Sequence, residues 1–133
     1  MKEPKKRKVE RLPDSELVIM RLIWEASEPV GTGYLANILE KEKNWSRSTI
    51  QVLLARLEEK QFVLCQKQGR LKYYTPLIPQ DEYRQSETKT FLEQFYHNSY
   101  KGLVATLVQE EKLSKEDIEE LMEMINGSSE KKE

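Results

Sequence analysis

The spacing of hydrophobic residues in the first half of the chain predicts three consecutive helices. From Pro13 onward, apolar residues recur every three or four positions, which is the period of a helix with one or two buried faces. We expect Asp14 or Ser15 to cap the first helix, Thr32 the second and Ser46 the third. The apolar positions of the three helices are Leu17, Ile19, Met20, Leu22, Ile23 and Trp24, then Leu35, Ile38 and Leu39, then Ile50, Leu53, Leu54 and Leu57.

After the third helix the pattern changes from helical to extended. Two short runs rich in β-branched and aromatic residues, 62 to 66 and 71 to 75, flank a turn that contains Gly69. This arrangement predicts a β-hairpin. Pro76 and Pro79 end the hairpin, so we place a domain boundary near Pro79.

Three further helices are predicted beyond this boundary. The first runs from about residue 81 to 97, and the second contains Leu103 and Val104. In the last helix, Ser114 is the expected N-cap and Asp117 its capping-box partner. Asn126 and Gly127 are the expected stop of this helix.

The apolar stripes of these three helices are too wide to be buried easily within so small a monomer. We therefore expect the chain to dimerise through them, while packing of this bundle onto its own N-terminal domain remains the alternative. The candidate dimerisation residues are Phe91, Leu92, Phe95, Tyr96, Leu103, Leu107, Ile118, Leu121, Met122 and Ile125.

Three helices followed by a hairpin are the element order of a winged helix-turn-helix. The predicted fold class is thus mostly α with a small β-hairpin (α+β). A winged-helix domain at residues 13 to 79 precedes a helical dimerisation domain at residues 80 to 127. Residues 1 to 12 are expected to form a disordered basic arm and residues 128 to 133 a disordered tail. A tag, a chance match to a nuclear-import signal and an accessory phosphate-binding segment remain alternatives for the arm.

Charge is distributed unevenly along the 133 residues. The chain has 22 Lys and Arg against 23 Asp and Glu, for a net charge of −1. The balance is +4 over residues 1 to 12, +1 over 13 to 79 and −6 over 80 to 133, but residues 44 to 74 alone carry an excess of +4. A basic patch within a folded segment is a candidate surface for a polyanion.

The third helix and the hairpin carry the candidate DNA-binding residues. Ser48, Thr49 and Gln51 can reach bases or phosphates, and a glutamine can form a bidentate pair with adenine. The guanidinium groups of Arg47 and Arg56 are better suited to phosphates. In the hairpin, the cations that would contact the DNA backbone are Lys67, Arg70 and Lys72. A two-fold dimer of such a protein would bind an inverted repeat in double-stranded operator DNA.

Enzymatic and membrane functions find little support in the sequence. His97 is the only histidine and has no partners at metal-ligand spacing, and Cys65 is the only cysteine. We therefore expect no catalytic site, no cofactor and no metal. The apolar runs are far shorter than the roughly 20 residues of a membrane span, and a secretory signal core is missing. The expected location is cytoplasmic, without membrane insertion.

A specific set of residues between positions 12 and 126 carries a family resemblance. They are Leu12, Pro13, Asp14, Ser15, Glu16, Ile23, Trp24, Trp45, Ser46, Thr49, Ile50, Gln51, Leu54, Arg56, Leu57, Lys60, Tyr74, Thr75, Pro76, Leu77, Leu113, Ser114, Ile118, Glu119, Glu120 and Leu121. In this combination the chain resembles the penicillinase repressors (the BlaI/MecI family), which are related to the copper-responsive repressor CopY. The resemblance implies a dimeric winged-helix repressor with interlocked C-terminal helices, bound to palindromic operators of the TACA/TGTA kind.

The resemblance also assigns roles to single positions. Thr49 and Gln51 match the family's base-reading positions, whereas Arg47 and Ser48 depart from its usual Pro-Lys pair. Family members are commonly inactivated when a membrane sensor-protease pathway leads to a cut at an Asn-Phe bond. The corresponding residues here, Thr106 and Leu107, are the candidate processing site, and their departure from Asn-Phe points to another inducer or another protease. The paired Cys-x-Cys motifs of the copper-responsive relatives are absent from the sequence.

The sequence thus favours a homodimeric transcriptional repressor that controls a β-lactam-resistance operon or a related stress operon. The alternative hypothesis is a winged-helix protein-interaction module without sequence-specific DNA binding. Substitutions in the third helix separate the two hypotheses, because only the first makes this helix essential for binding DNA.

Overall fold

The computed structural model of the protein describes residues 9 to 131 and contains, in that range, six helices and a three-stranded antiparallel sheet. The predicted mostly helical fold class is confirmed. In chain order, the elements are α1 (Asp14–Glu25), β1 (Val30–Gly31), α2 (Thr32–Lys43), α3 (Arg47–Glu59), β2 (Val63–Gln68), β3 (Leu71–Pro76), α4 (Gln80–Tyr96), α5 (Tyr100–Gln109) and α6 (Lys115–Lys131).

The chain divides into two compact units within α4, between Glu87 and Thr88. The sequence analysis placed a domain boundary near Pro79, just before this helix begins. The first turns of α4 belong to the first unit because Tyr83 is buried there, with its ring 5.6 Å from that of Trp24 and 5.9 Å from that of Phe62.

The core of the first unit is built from the apolar stripes of its helices. α3 packs against both α1 and α2, and its predicted stripe is fully buried. Burial of this stripe removes apolar surface from water and fixes the helix on the domain. The core residues of α3 are Ile50, Leu53, Leu54 and Leu57.

The predicted hairpin is confirmed as β2 and β3, joined by a two-residue turn in which Gly69 has a φ of +67°. Glycine adopts such a φ without the steric penalty that other residues meet. β3 is the central strand, because β1 pairs with its other edge through Val30 opposite Tyr74 and Gly31 opposite Tyr73. The sequence analysis missed β1.

The predicted N-caps of the first three helices have different outcomes. Ser46 caps α3 as expected, since its Oγ accepts the N–H of Thr49 at 3.2 Å. The prediction for α1 is wrong: the N-cap is Pro13, whose ψ of 154° is extended, and the next residue is already helical. The prediction for α2 is also wrong, because pairing in β1 keeps Gly31 extended and the helix begins at Thr32.

The end of the basic arm was predicted too late in the chain. Leu12 is buried, at 4% exposure, and its N–H donates to the Tyr83 hydroxyl at 3.0 Å. The carbonyl of Val9 accepts a hydrogen bond from Ser86 at 3.3 Å. Residues 9 to 12 therefore pack on the start of α4, and the rest of the predicted arm lies outside the described residues.

In the second unit, the predicted capping box of α6 is confirmed. The N–H of Asp117 donates to the Ser114 Oγ, and the N–H of Ser114 donates to the Asp117 carboxylate, both at 3.0 Å. The predicted stop at Asn126 and Gly127 is wrong, because neither residue adopts the left-handed conformation that commonly ends a helix. α6 instead continues to Lys131, through part of the predicted tail.

None of the helices in the described part of the chain has the length and apolar character needed to cross a membrane.

Candidate nucleic-acid interface

The outward face of α3 is polar and mostly short-chained near its N-terminus. It lies opposite the buried stripe, because residues three and four apart share one side of a helix. α3 can therefore contact a large ligand along its length without unpacking the core. Five residues predicted to contact DNA are solvent-exposed on this helix: Arg47, Ser48, Thr49, Gln51 and Arg56.

A small hydroxyl cluster organises the first turn of α3. The Oγ of Ser46 lies 3.1 Å from the Oγ of Ser48 and 3.0 Å from the Oγ1 of Thr49. The same Ser46 oxygen accepts the backbone N–H of Thr49. The Thr49 hydroxyl is thus held at the cap, whereas the side chain of Gln51 is exposed half a turn further along the helix.

The wing, defined as β2, β3 and their turn, carries three exposed cations. Lys67 stands directly opposite Lys72 across the two strands, and Arg70 lies in the turn. Like charges at directly opposed positions destabilise a sheet. An anion bound at the wing would relieve this repulsion, so the wing is suited to a phosphate backbone.

An open groove of about 990 Å³ runs between α3, the wing and the start of α2. Arg47 and Gln51 line it from α3, and Arg70 and Lys72 line it from the wing. The structure thus brings four of the predicted contact residues to one groove. The other four lie outside its lining and are exposed: Ser48, Thr49, Arg56 and Lys67.

The sequence analysis missed the start of α2, which also borders this groove. Thr32, Gly33 and Tyr34 line it, and a Cβ added at Gly33 would lie 4.0 Å from the Arg47 guanidinium. No side chain caps α2, so its first N–H groups add partial positive charge to a groove that three cations and the three glutamates Glu25, Glu28 and Glu58 line. The two glycines at 31 and 33 were the available signal, and at Gly31 it marks a close approach of the Tyr73 ring, which would lie 3.3 Å from an added Cβ.

Tyr74 connects the wing to the core beneath the groove. Burial raises its pKa to about 12, and the neighbouring Cys65 and the charge of Glu58 act in the same direction. Tyr74 and Cys65 are directly paired across β3 and β2. Cys65 is half-buried in this pairing, which agrees with a packing role rather than a nucleophilic one.

The second unit exposes most of its large apolar residues. Among the described residues from position 88 onward, Leu92 is the one that is buried, at 1% exposure. Its own chain already covers it, so Leu92 offers little free surface to a second copy. Tyr96, Leu103 and Leu107 are half-buried. The remaining predicted residues are exposed: Phe91, Phe95, Ile118, Leu121, Met122 and Ile125.

The candidate processing site lies within α5 rather than in a loop. Thr106 and Leu107 are both half-buried, and the Thr106 hydroxyl donates to the carbonyl of Gly102 at 3.1 Å. A protease binds its substrate in an extended conformation, so a cut here requires local unwinding of α5.

A helical core, a hairpin beside the third helix, and exposed cations on both of them define the class of winged-helix DNA-binding proteins. Comparisons with known proteins give the family within this class. The sequence model of the family described as Penicillinase repressor matches residues 12–127. The chain belongs to the penicillinase repressor family, whose members are transcriptional repressors and not enzymes.

Individual relatives support the same conclusion. A penicillinase repressor of Bacillus licheniformis is 32% identical over 126 residues, which cover 95% of this chain and 98% of that protein. The methicillin resistance regulatory protein MecI of Staphylococcus aureus is 28% identical, with coverage of 90% and 96%. The solution structure of the DNA binding domain of the repressor BlaI is 36% identical and covers 59% of this chain and 94% of its own, with a TM-score of 0.52. The resemblance inferred from the sequence is confirmed.

Proposed function

We propose that the protein is a homodimeric transcriptional repressor that binds an inverted-repeat operator through α3 and the wing. The observation that carries this proposal is the groove in which Arg47 and Gln51 of α3 face Arg70 and Lys72 of the wing. A rigid helix beside a cationic hairpin can enter the major groove while the hairpin holds the adjacent backbone. The chain's relationship to DNA-binding repressors supports the same function.

The exposed residues of α3 divide into base contacts and phosphate contacts. Gln51 can donate to N7 and accept from N6 of one adenine, which distinguishes that base pair in the major groove. Ser48 and Thr49 supply hydroxyls near the same end of the helix. Arg47 and Arg56 lie on the flanks of α3, where guanidinium groups can bind phosphates in a bidentate manner.

Dimerisation is supported by the unburied apolar surface of the second unit. Side chains such as Phe95, at 67% exposure, would gain free energy from association with a second copy. A two-fold dimer presents two α3 helices to half-sites about one turn of DNA apart. The net charge of −6 over residues 80 to 133 disfavours contact of these helices with phosphate.

The cellular role follows from the relatives, which are named as regulators of penicillinase and of methicillin resistance. The protein would act in the cytoplasm on a β-lactam-resistance operon or a related stress operon. Relief of repression through a membrane sensor-protease pathway would require a cut at Thr106 and Leu107, after α5 unwinds. The pair differs from the Asn-Phe bond of the family, so cleavage by another protease is part of this proposal.

Charge reversal on α3 tests the proposed interface. Gln51→Glu and Arg56→Glu place carboxylates against DNA, and we expect each to weaken binding to wild-type-selected duplexes by at least tenfold. Arg84→Glu, an equal charge change to that of Arg56→Glu on exposed surface of α4, is the control and should bind normally. Normal binding by both α3 variants would overturn this interface and favour a protein-interaction module.

A further inference from the structure

Val52 is an apolar side chain on the otherwise polar outward face of α3. Its exposure is 50%, and it is the one large hydrophobic residue that this fully described helix exposes. Its neighbours one turn away are Ser48 and Thr49 on one side and Ala55 and Arg56 on the other, all exposed. Val52 is therefore an exposed apolar side chain among polar or small neighbours.

Helix geometry places Val52 close to the centre of that outward face. At about 100° per residue, it points within about 30° of the direction opposite to the buried stripe. Gln51 and Arg56 lie on the two sides of this direction, each about 70° away from it. An object that contacts both Gln51 and Arg56 must therefore also cover Val52.

The fold itself does not account for a valine at this position. β-Branched residues lose side-chain freedom in a helix, and an exposed valine gains little from burial in return. Alanine would support the same helix better. Glu58 and Glu59 further along α3 would be repelled by phosphate. The N-terminal half of α3, which contains Val52, is therefore the part suited to the major groove of DNA.

We propose that Val52 reads a thymine in each half-site by packing against its C5 methyl group. This methyl is the apolar group that the base edges present in the major groove, and small apolar side chains recognise it there. Gln51 and Val52 are consecutive residues of α3, so they would read adjacent base pairs. Gln51 would make a polar contact and Val52 an apolar one. This inference rests on the proposed DNA-binding function and adds a specificity-determining residue to it.

A double-mutant cycle with modified DNA tests the proposal. The full-length protein first selects its site from random duplexes, and each dT of that site is then replaced singly by deoxyuridine, which removes only the methyl. For one dT per half-site, we expect the replacement to weaken wild-type binding about threefold to fivefold. The same replacement should have less than half of that effect on Val52→Ala.

Leu77→Ala is the matched control, because Leu77 is also exposed, at 40%, but follows the end of β3 and lies outside both the wing and the groove. It should respond to deoxyuridine as the wild type does. If the selected site is specific but Val52→Ala loses as much as the wild type at every dT, the inference about Val52 is overturned while the DNA-binding function stands. Failure to select any site overturns the proposed function and, with it, this inference.

Discussion

The ammonium group of Lys60 donates to the Glu16 carboxylate at 2.6 Å, and Glu16 is buried at 2% exposure. This pair joins the first turn of α1 to the residue that ends α3. α3 carries the proposed DNA contacts, and the pair helps to hold the end of that helix against α1. Glu16 occupies the first position of the buried stripe of α1, ahead of Ile19, Met20 and Ile23.

Removing one partner of this pair should cost more stability than removing both. Lys60→Met leaves a carboxylate buried without its cation, and we expect the free energy of unfolding to fall by about 3 kcal/mol. The double variant Glu16→Leu with Lys60→Met should recover at least half of that loss, since no charge then remains buried. Urea unfolding of the single and double variants measures both values. Equal losses of stability in the single and the double variants would contradict this prediction, because removing the Glu16 carboxylate would then recover nothing.

The wing lysines should strengthen DNA binding while they lower the stability of the free protein. Lys72→Gln removes the repulsion with Lys67, so the stability of the free protein should be unchanged or higher. Its affinity for DNA should fall, and the slope of log affinity against log salt should decrease by about 1 for each chain bound. Fluorescence anisotropy over a salt series measures the slope. Lys89→Gln on α4 is the control, and a matching decrease in it would contradict a specific role of the wing.

The raised pKa of Tyr74 predicts that the protein loses stability at high pH. Its pKa is raised from 10.0 to about 12 in the folded protein, so the folded state holds a proton that the unfolded state releases between these values. Stability contributed by the neutral phenol is complete below pH 10 and should be lost as the pH rises toward 12, by about 2 kcal/mol. Tyr74→Phe should show a smaller decrease between pH 8 and 11.5 in urea unfolding, and Tyr73→Phe should not. Identical decreases in the wild type and Tyr74→Phe would refute this assignment.

The stripe of α6 should control the oligomeric state. Leu121→Asp places a charge within the stripe of Ile118, Met122 and Ile125, and we expect a monomer by light scattering at micromolar concentration. Operator binding should weaken as well, because two linked half-sites contribute to affinity. Glu120→Lys, on the opposite side of α6, should remain dimeric. A wild-type protein that is monomeric under these conditions would refute the dimer.

The helices and the hairpin of the first unit could be predicted because their signals are local. The stripe from Ile50 to Leu57 repeats with a helical period, Ser46 offers a hydroxyl at the right position for a cap, and Gly69 supplies the turn. The wing pair of Lys67 and Lys72 also follows from the register that a two-residue turn imposes.

The features that the sequence did not predict depend on distant partners. β1 has only two residues, and its strand conformation comes from pairing with Tyr73 and Tyr74. The Glu16–Lys60 pair links residues 44 positions apart, so periodicity recognises Glu16 only as a polar residue at a core position. Asn126 and Gly127 form a common helix stop, yet they adopt helical backbone, because such local preferences are weak and the helix can continue beyond them.

The symmetry of the DNA site tests the central claim most directly. Purified full-length protein is used to select from a library of random duplexes at two salt concentrations, and the enriched sequences are compared. The account predicts an inverted repeat whose half-sites are centred about one helical turn apart and which persists at the higher salt. Retention that is weak, lost at higher salt and without any shared sequence would contradict it, because phosphate contact alone would then explain the binding.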